Sequence, residues 1–243
     1  MKTMIELTKY HGHSYLKSNK YVMPLAVFFI LLYVNYSIIP LRVIDSFCIS
    51  CVYAFMIMVW AGIGYNESEP LISRQILVLR VQSASRYYIS DSAFLLLLGF
   101  GVSLLGIGFP IVQNLANNGN VFLRPLTAAD LIGSFFLLWA STFAGGAVGT
   151  LFHPEVLTDR RIAVVLTVLF ALLAVVKTGI AKEVPTLEAV LWIFPPVAEL
   201  SSDFALQETY RFGEVAVAVG RLCVYSIFVT GVKIWILNRK KFT

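Results

Sequence analysis

From residue 92 to residue 123 the chain runs for 32 residues without an acidic or basic side chain. A helix needs about 20 apolar residues to cross roughly 30 Å of hydrocarbon, so this run exceeds one straight crossing. Gly99, Gly101, Gly106, Gly108 and Pro110 interrupt it. They predict a span that ends near residues 110–112, followed by a polar loop over 113–120. A soluble domain of 243 residues would bury its apolar side chains in one or two cores and coat the outside with charge. Here hydrophobic residues reach 58% and charged residues only 14%, against about 45–50% and 25% in soluble domains. Lipid is the solvent that fits, and mean hydropathy of +0.79 agrees.

Five further apolar runs have spanning length, at 21–40, 46–65, 131–152, 162–180 and 213–237. The predicted fold is therefore all-α and polytopic, one transmembrane domain over 1–243 with six crossings. The link holding Arg42 and Asp45 is so short that the first two spans must form an antiparallel hairpin. Residues 1–20 carry Lys2, Lys9, Lys17 and Lys20 against Glu6, too polar for a cleavable signal peptide. They predict a helix lying along the membrane surface, its lysines towards anionic headgroups. Between the fifth and sixth spans, residues 181–211 contain only nine consecutive apolar residues, AVLWIFPPV, stopped by Pro195 and Pro196. That length predicts a re-entrant or interfacial helix with Trp192 at headgroup level. Glu183, Glu188, Glu199, Asp203 and Glu208 surround it.

An even number of crossings puts both termini on one side, and the basic residues choose the side. The segments sharing the termini's side hold twelve: Lys2, Lys9, Lys17 and Lys20; Arg74, Arg80 and Arg86; Arg160 and Arg161; Arg239, Lys240 and Lys241. The opposite segments hold four, Arg42, Arg124, Lys182 and Arg211. The positive-inside rule then predicts cytoplasmic termini, a plasma-membrane location and a cytoplasmic segment at 67–90. Basic residues scattered over the ends of apolar runs do not make a nucleic-acid surface.

Nothing in the chain spells a catalytic site. It lacks G-x-x-x-x-G-K-[ST], H-E-x-x-H and G-x-S-x-G, and ESEPLISR lacks the adjacent glutamates of the glutamate-type intramembrane proteases. Cys48 and Cys51 form a C-x-x-C inside an apolar run, with no second pair or nearby His to complete a zinc site. They and Cys223 read as small buried apolar residues, and His153 stands apart from any ligand cluster. No metal or catalytic residue is expected. Gly145 and Gly149 make a G-x-x-x-G, which lets two helices approach closely, either within this chain or against a second subunit. Lys177 is expected to snorkel to the interface. Glu214 and Arg221 lie in the last span, where a charge costs about 2.5–3.5 kcal/mol on insertion scales and needs a partner. Glu214 reads as interfacial. Arg221 is either a buried tie to a neighbouring span or a group lining a wet path used by a substrate, with Glu214 the second candidate for that path.

The basic surface segment, the six spans, the mixed-charge inner segment ESEPLISRQILVLRVQSASRYYIS at 67–90 and the proline-marked WIFPPV at 192–197 together resemble the permease subunits of ABC transporters of the type-2 exporter class. In that family the acidic start of the second inner segment, with a following helix and a Ser/Thr turn into the third span, docks on the ATPase. The resemblance implies that Glu67, Glu69, Arg74, Gln75, Ser83, Ser85 and Arg86 form this coupling element, although Ser90-Asp91 stands where Gly-Lys is frequent. It further implies two copies of a separate ATP-binding subunit carrying ATP and Mg2+, a second permease of the same or another sequence, contact with membrane lipid, and no cofactor on this chain. The implied substrate is peptide, drug or lipid-like, as in antimicrobial-peptide export or immunity in bacteria. Two rivals come from other classes: an intramembrane hydrolase or lipid transferase, and a non-transporting membrane anchor or sensor.

Overall fold

The computed structural model describes residues 2–239 except 154, 155, 158 and 206, and of residues 2, 3, 71 and 188 the backbone alone. Lys240, Lys241, and the Lys2 and Glu188 side chains, all used in the charge pattern above, lie outside the described residues. Among the described residues the regular elements are helices: α1 (Lys2–Lys17), α2 (Val22–Ser37), α3 (Val43–Asn66), α4 (Leu71–Val81), α5 (Ala84–Ala116), α6 (Ala128–Gly149), α7 (Arg160–Glu183), α8 (Glu188–Leu191), α9 (Glu199–Asp203) and α10 (Phe212–Arg239). A 3-10 turn, Pro185–Leu187, precedes α8.

Five of these, α3, α5, α6, α7 and α10, are long and apolar enough to cross a membrane, and a sixth crossing is reached if α1 and α2 count as one bent pair. Such a set of helices marks a multi-pass membrane protein. The first span differs from the expected 20-residue helix. Helix α2 has 16 residues, about 24 Å at 1.5 Å per residue. Its C-terminus is set by Pro40, because a residue preceding proline is pushed out of helical geometry, and Ile38 is already extended. At its other end Asn19 takes a left-handed φ of 56°, and α1 meets α2 at 79°. Pro24 is tolerated because it falls in the first turn, where backbone N–H groups have no helical acceptor.

The third span also differs. Instead of stopping near Pro110, α5 continues to Ala116, 33 residues in all, or about 50 Å. Losing the proline's N–H removes one bond from the ladder, and the helix absorbs it: beyond it the Asn117 amide still bonds Gln113 O at 3.1 Å. The loop after α5 is pinned by Leu41, whose N–H donates to Val121 O at 2.8 Å and whose carbonyl accepts from Leu123 N at 2.9 Å. Helix α6 then starts on a capping box between Thr127 and Asp130, with Arg124 bidentate on Asp130 at 2.6 and 2.8 Å.

Helices α3 and α6 form the centre of the bundle, with 61% and 67% of their spanning windows buried against 33% or less for the other three. Their contact explains the small residues. A Cβ on Gly145 would strike the Phe55 carbonyl oxygen, and one on Gly149 the Val59 carbonyl oxygen. The G-x-x-x-G is thus occupied by α3 of the same chain rather than offered to a second subunit. Cys48 and Cys51 are buried on α3, as expected. The segment between α7 and α10 is broken into single turns, α8 and α9 flanking Pro195 and Pro196, with Trp192 83% exposed.

Gly145→Ala and Gly149→Ala are each expected to cost about 1–3 kcal/mol through overpacking, measured as thermal unfolding in detergent. Gly231→Ala, where a Cβ meets nothing within 4 Å, is the control and should leave the midpoint unchanged or raised.

Candidate coupling site

Between α3 and α5 the chain turns twice in quick succession. Helix α4 ends on Gln82 in the left-handed region, φ 56°. Ser83 then caps α5, its hydroxyl accepting from Arg86 N at 3.4 Å. Side chains three and four apart share a helix face, which gives α4 two distinct sides. Arg74 and Val78 are buried, and Val78 packs with Tyr87 and Tyr88 of α5 and Leu237 of α10. Gln75, Arg80, Ile72, Ile76 and Leu79 are exposed.

The seven residues assigned to coupling therefore have different surroundings. Gln75 and Arg86 are exposed. Ser83 is the cap, and Ser85 accepts from Asn238 Nδ2 of α10 at 2.9 Å. Glu67 takes Arg160 Nε at 2.6 Å and Nη2 at 2.8 Å, with Lys20 Nζ at 3.2 Å. Glu69 and Arg74 are 6% and 2% exposed, and face inward.

Beneath α4 these inward groups join a buried polar layer. The Arg74 guanidinium donates to His153 Nε2 at 2.6 Å and to the Asn66 carbonyl at 3.3 Å, and lies 3.9 Å from Glu69. Glu69 also accepts from the Tyr87 hydroxyl. On α10, the Lys233 ammonium donates to Asp91 of α5 at 2.5 Å and to Thr150 Oγ1 at 3.1 Å, both charges almost wholly enclosed. On α1, His11 bridges Ser90 at 3.0 Å and Tyr65 at 2.9 Å. Burial, with Arg74 and Lys233 nearby, holds the His153 imidazole well below its ordinary value, so it stays neutral and can accept from Arg74.

Sequence reasoning missed most of this layer. Lys233 was the available signal, a lysine within an apolar span that must have a partner. Asp91 showed only as a departure from Gly-Lys. His153, set aside as isolated, meets Arg74 through folding across 79 positions.

At the opposite end of the bundle, Arg221 bridges Glu199 at 3.4 Å and Asp203, both on α9, and its side chain is 44% exposed. Its carboxylates come from this short helix rather than from a neighbouring span. Lys177 does not snorkel outward: it is enclosed, bonding Glu199 at 2.6 Å and the Phe194 carbonyl at 3.1 Å. Glu214 lies near the start of α10, accepting from Gln207 and pairing with Arg211 at 3.6 Å. The path candidates Arg221 and Glu214 thus both engage the 181–211 segment or its flank. Among the described residues no three His, Cys, Asp or Glu side chains gather as a metal site.

Comparison of the chain with protein-family models, with curated proteins and with solved structures finds no match.

Removing one member of a buried ion pair strands the other, a loss of about 3–5 kcal/mol. Lys233→Ala and Asp91→Ala should each lower denaturation midpoints on this scale, while the double change Lys233→Met with Asp91→Leu recovers most of the loss. Acid should act through Glu67. Partial burial raises its pKa, but the bonds from Arg160 and Lys20 outweigh this and hold it below the ordinary glutamate range. A depressed carboxyl stabilises the fold above its unfolded value, and that contribution fades as pH falls through the folded one. Unfolding scans from pH 6 to pH 3 should therefore show a smaller acid-induced drop in Glu67→Gln than in the parent chain.

Proposed function

We propose that this chain is the permease subunit of an ABC exporter of the type-2 class, with α4 as the element on which a separate ATPase acts. The two-sidedness of α4 carries the reading. Its inner face is tied by Arg74 and Val78 to the end of α3, to α5, to the α6–α7 link and to α10. Its outer face combines Ile76 and Leu79 with Gln75 and Arg80, and Arg86 is exposed beyond the turn. A short amphipathic helix of this kind suits a protein groove that both grips and pushes. The excess of basic residues on the termini's side supports placing α4 in the cytoplasm.

In this reading α4 transmits force and does no chemistry. Two copies of the ATPase hold ATP and Mg2+, and the membrane part is completed by a second copy of this chain or by another permease. A peptide, drug or lipid-like amphiphile is the substrate class, with antimicrobial-peptide export or immunity the narrower form.

Because Glu69 and Arg74 are enclosed, the test belongs on the exposed face. Arg80→Glu combined with Arg86→Glu should reduce the ATPase recovered with the purified permease about tenfold or more, since opposed like charges cost several kcal/mol at an interface. Permease abundance should not change. A stable purified assembly containing no ATPase would contradict the proposal.

A further inference from the structure

At the α4 end of the bundle, α7 leans away from α3 and leaves a cleft of about 280 Å³. Its walls are apolar, from Ile63, Leu157, Ala163 and Val164, and its mouth carries Lys20, Glu67 and Arg160. The two cations share one carboxylate, so the mouth keeps a net positive charge. Arg160 uses Nε and Nη2 on Glu67 and, with its side chain 77% exposed, has further N–H groups to offer.

We propose that this cleft binds one anionic phospholipid whose headgroup bears a hydroxyl, phosphatidylglycerol being the simplest. Its phosphodiester charge meets Arg160 and Lys20. A headgroup hydroxyl faces the acceptor Glu67. The cleft is near the lower limit for a small-molecule site, about 300 Å³, and so takes the headgroup and glycerol backbone rather than a whole lipid. The acyl chains continue along α7 on the row that follows Val164 at four-residue steps, Val168 and Leu172, which are 40% and 47% exposed. Charge separates this occupant from a neutral lipid, and the apolar row separates it from free phosphate. The lining comes from α3, α6, α7 and the links that carry Lys20, Glu67 and Leu157, and the test below involves no ATPase partner.

Native mass spectrometry of the full chain released from nanodiscs containing equal phosphatidylglycerol and phosphatidylcholine of matched chains tests it. One phosphatidylglycerol per chain should survive delipidation, in preference to phosphatidylcholine. Arg160→Ala should lower its occupancy about fivefold, the effect of one basic residue on an anionic lipid surface. Val164→Trp should fill the cleft and remove it, and Leu157→Trp serves the same purpose should the first variant fail to fold. Inorganic phosphate at millimolar concentration should not displace the lipid. Equal retention of the two lipids, retention unchanged by the cleft-filling tryptophan, or displacement by phosphate would each overturn the proposal.

Discussion

An ammonium on α10 and a guanidinium on α4 are enclosed among apolar helices, and a charge in that setting persists only with partners in place. Asp91 and Thr150 answer Lys233; Glu69, His153 and the Asn66 carbonyl answer Arg74. These five partners come from three separate stretches, residues 66–69, Asp91 and residues 150–153. Satisfying two cations therefore fixes the relative positions of α3, α4, α5, the α6–α7 link and α10. Packing alone sets these less sharply, because lipid tails are as apolar as the side chains they replace and helices gain little by excluding them. At the centre, α3 and α6 hold through the close approach that Gly145 and Gly149 allow. At the α4 end, ions do the equivalent work.

This division gives the protein a rigid end. Helix α4 cannot rock freely on its two loops, since Arg74 ties it inward and Ser85 ties the start of α5 to Asn238. A push on its outer face would reach α5 and α10 together, through Val78, Tyr87, Tyr88 and Leu237. At the opposite end, Lys177, Glu199, Arg221 and Asp203 join α7, α9 and α10 in a second, more exposed ionic cluster. Helices α7 and α10 thus meet ions at both ends while much of their length faces outward, with 28% of each window buried. These are the features expected of a body that moves as a unit within lipid.

Much of the fold could be read from apolar run length, since hydrocarbon thickness imposes a minimum that α3, α6, α7 and α10 meet near their expected limits. The errors came where two local rules competed. Pro110 argued for a stop, but a long helix tolerates one missing bond, and α5 ran on. Pro40 closes the first apolar run without interrupting it, yet its effect on the preceding residue shortens α2. The G-x-x-x-G was legible as a close contact, while its partner, α3, was not, because the spacing says nothing about which helix supplies the other backbone. The 67–90 segment is legible as a distinct element between two apolar runs and much less so residue by residue. Its charges looked alike in sequence, whereas burial divides Arg74, turned inward against His153, from Arg80 and Arg86, turned outward.

The most direct measurement of the central claim is amide hydrogen exchange over residues 71–81 in the protein held in nanodiscs. If the buried ions lock α4 to the bundle, its amides exchange nearly as slowly as those of α10 around Lys233, and Arg74→Gln makes α4 alone labile while the spans keep their protection. Rapid exchange of α4 in the unaltered protein, or protection that Arg74→Gln leaves untouched, would contradict the account.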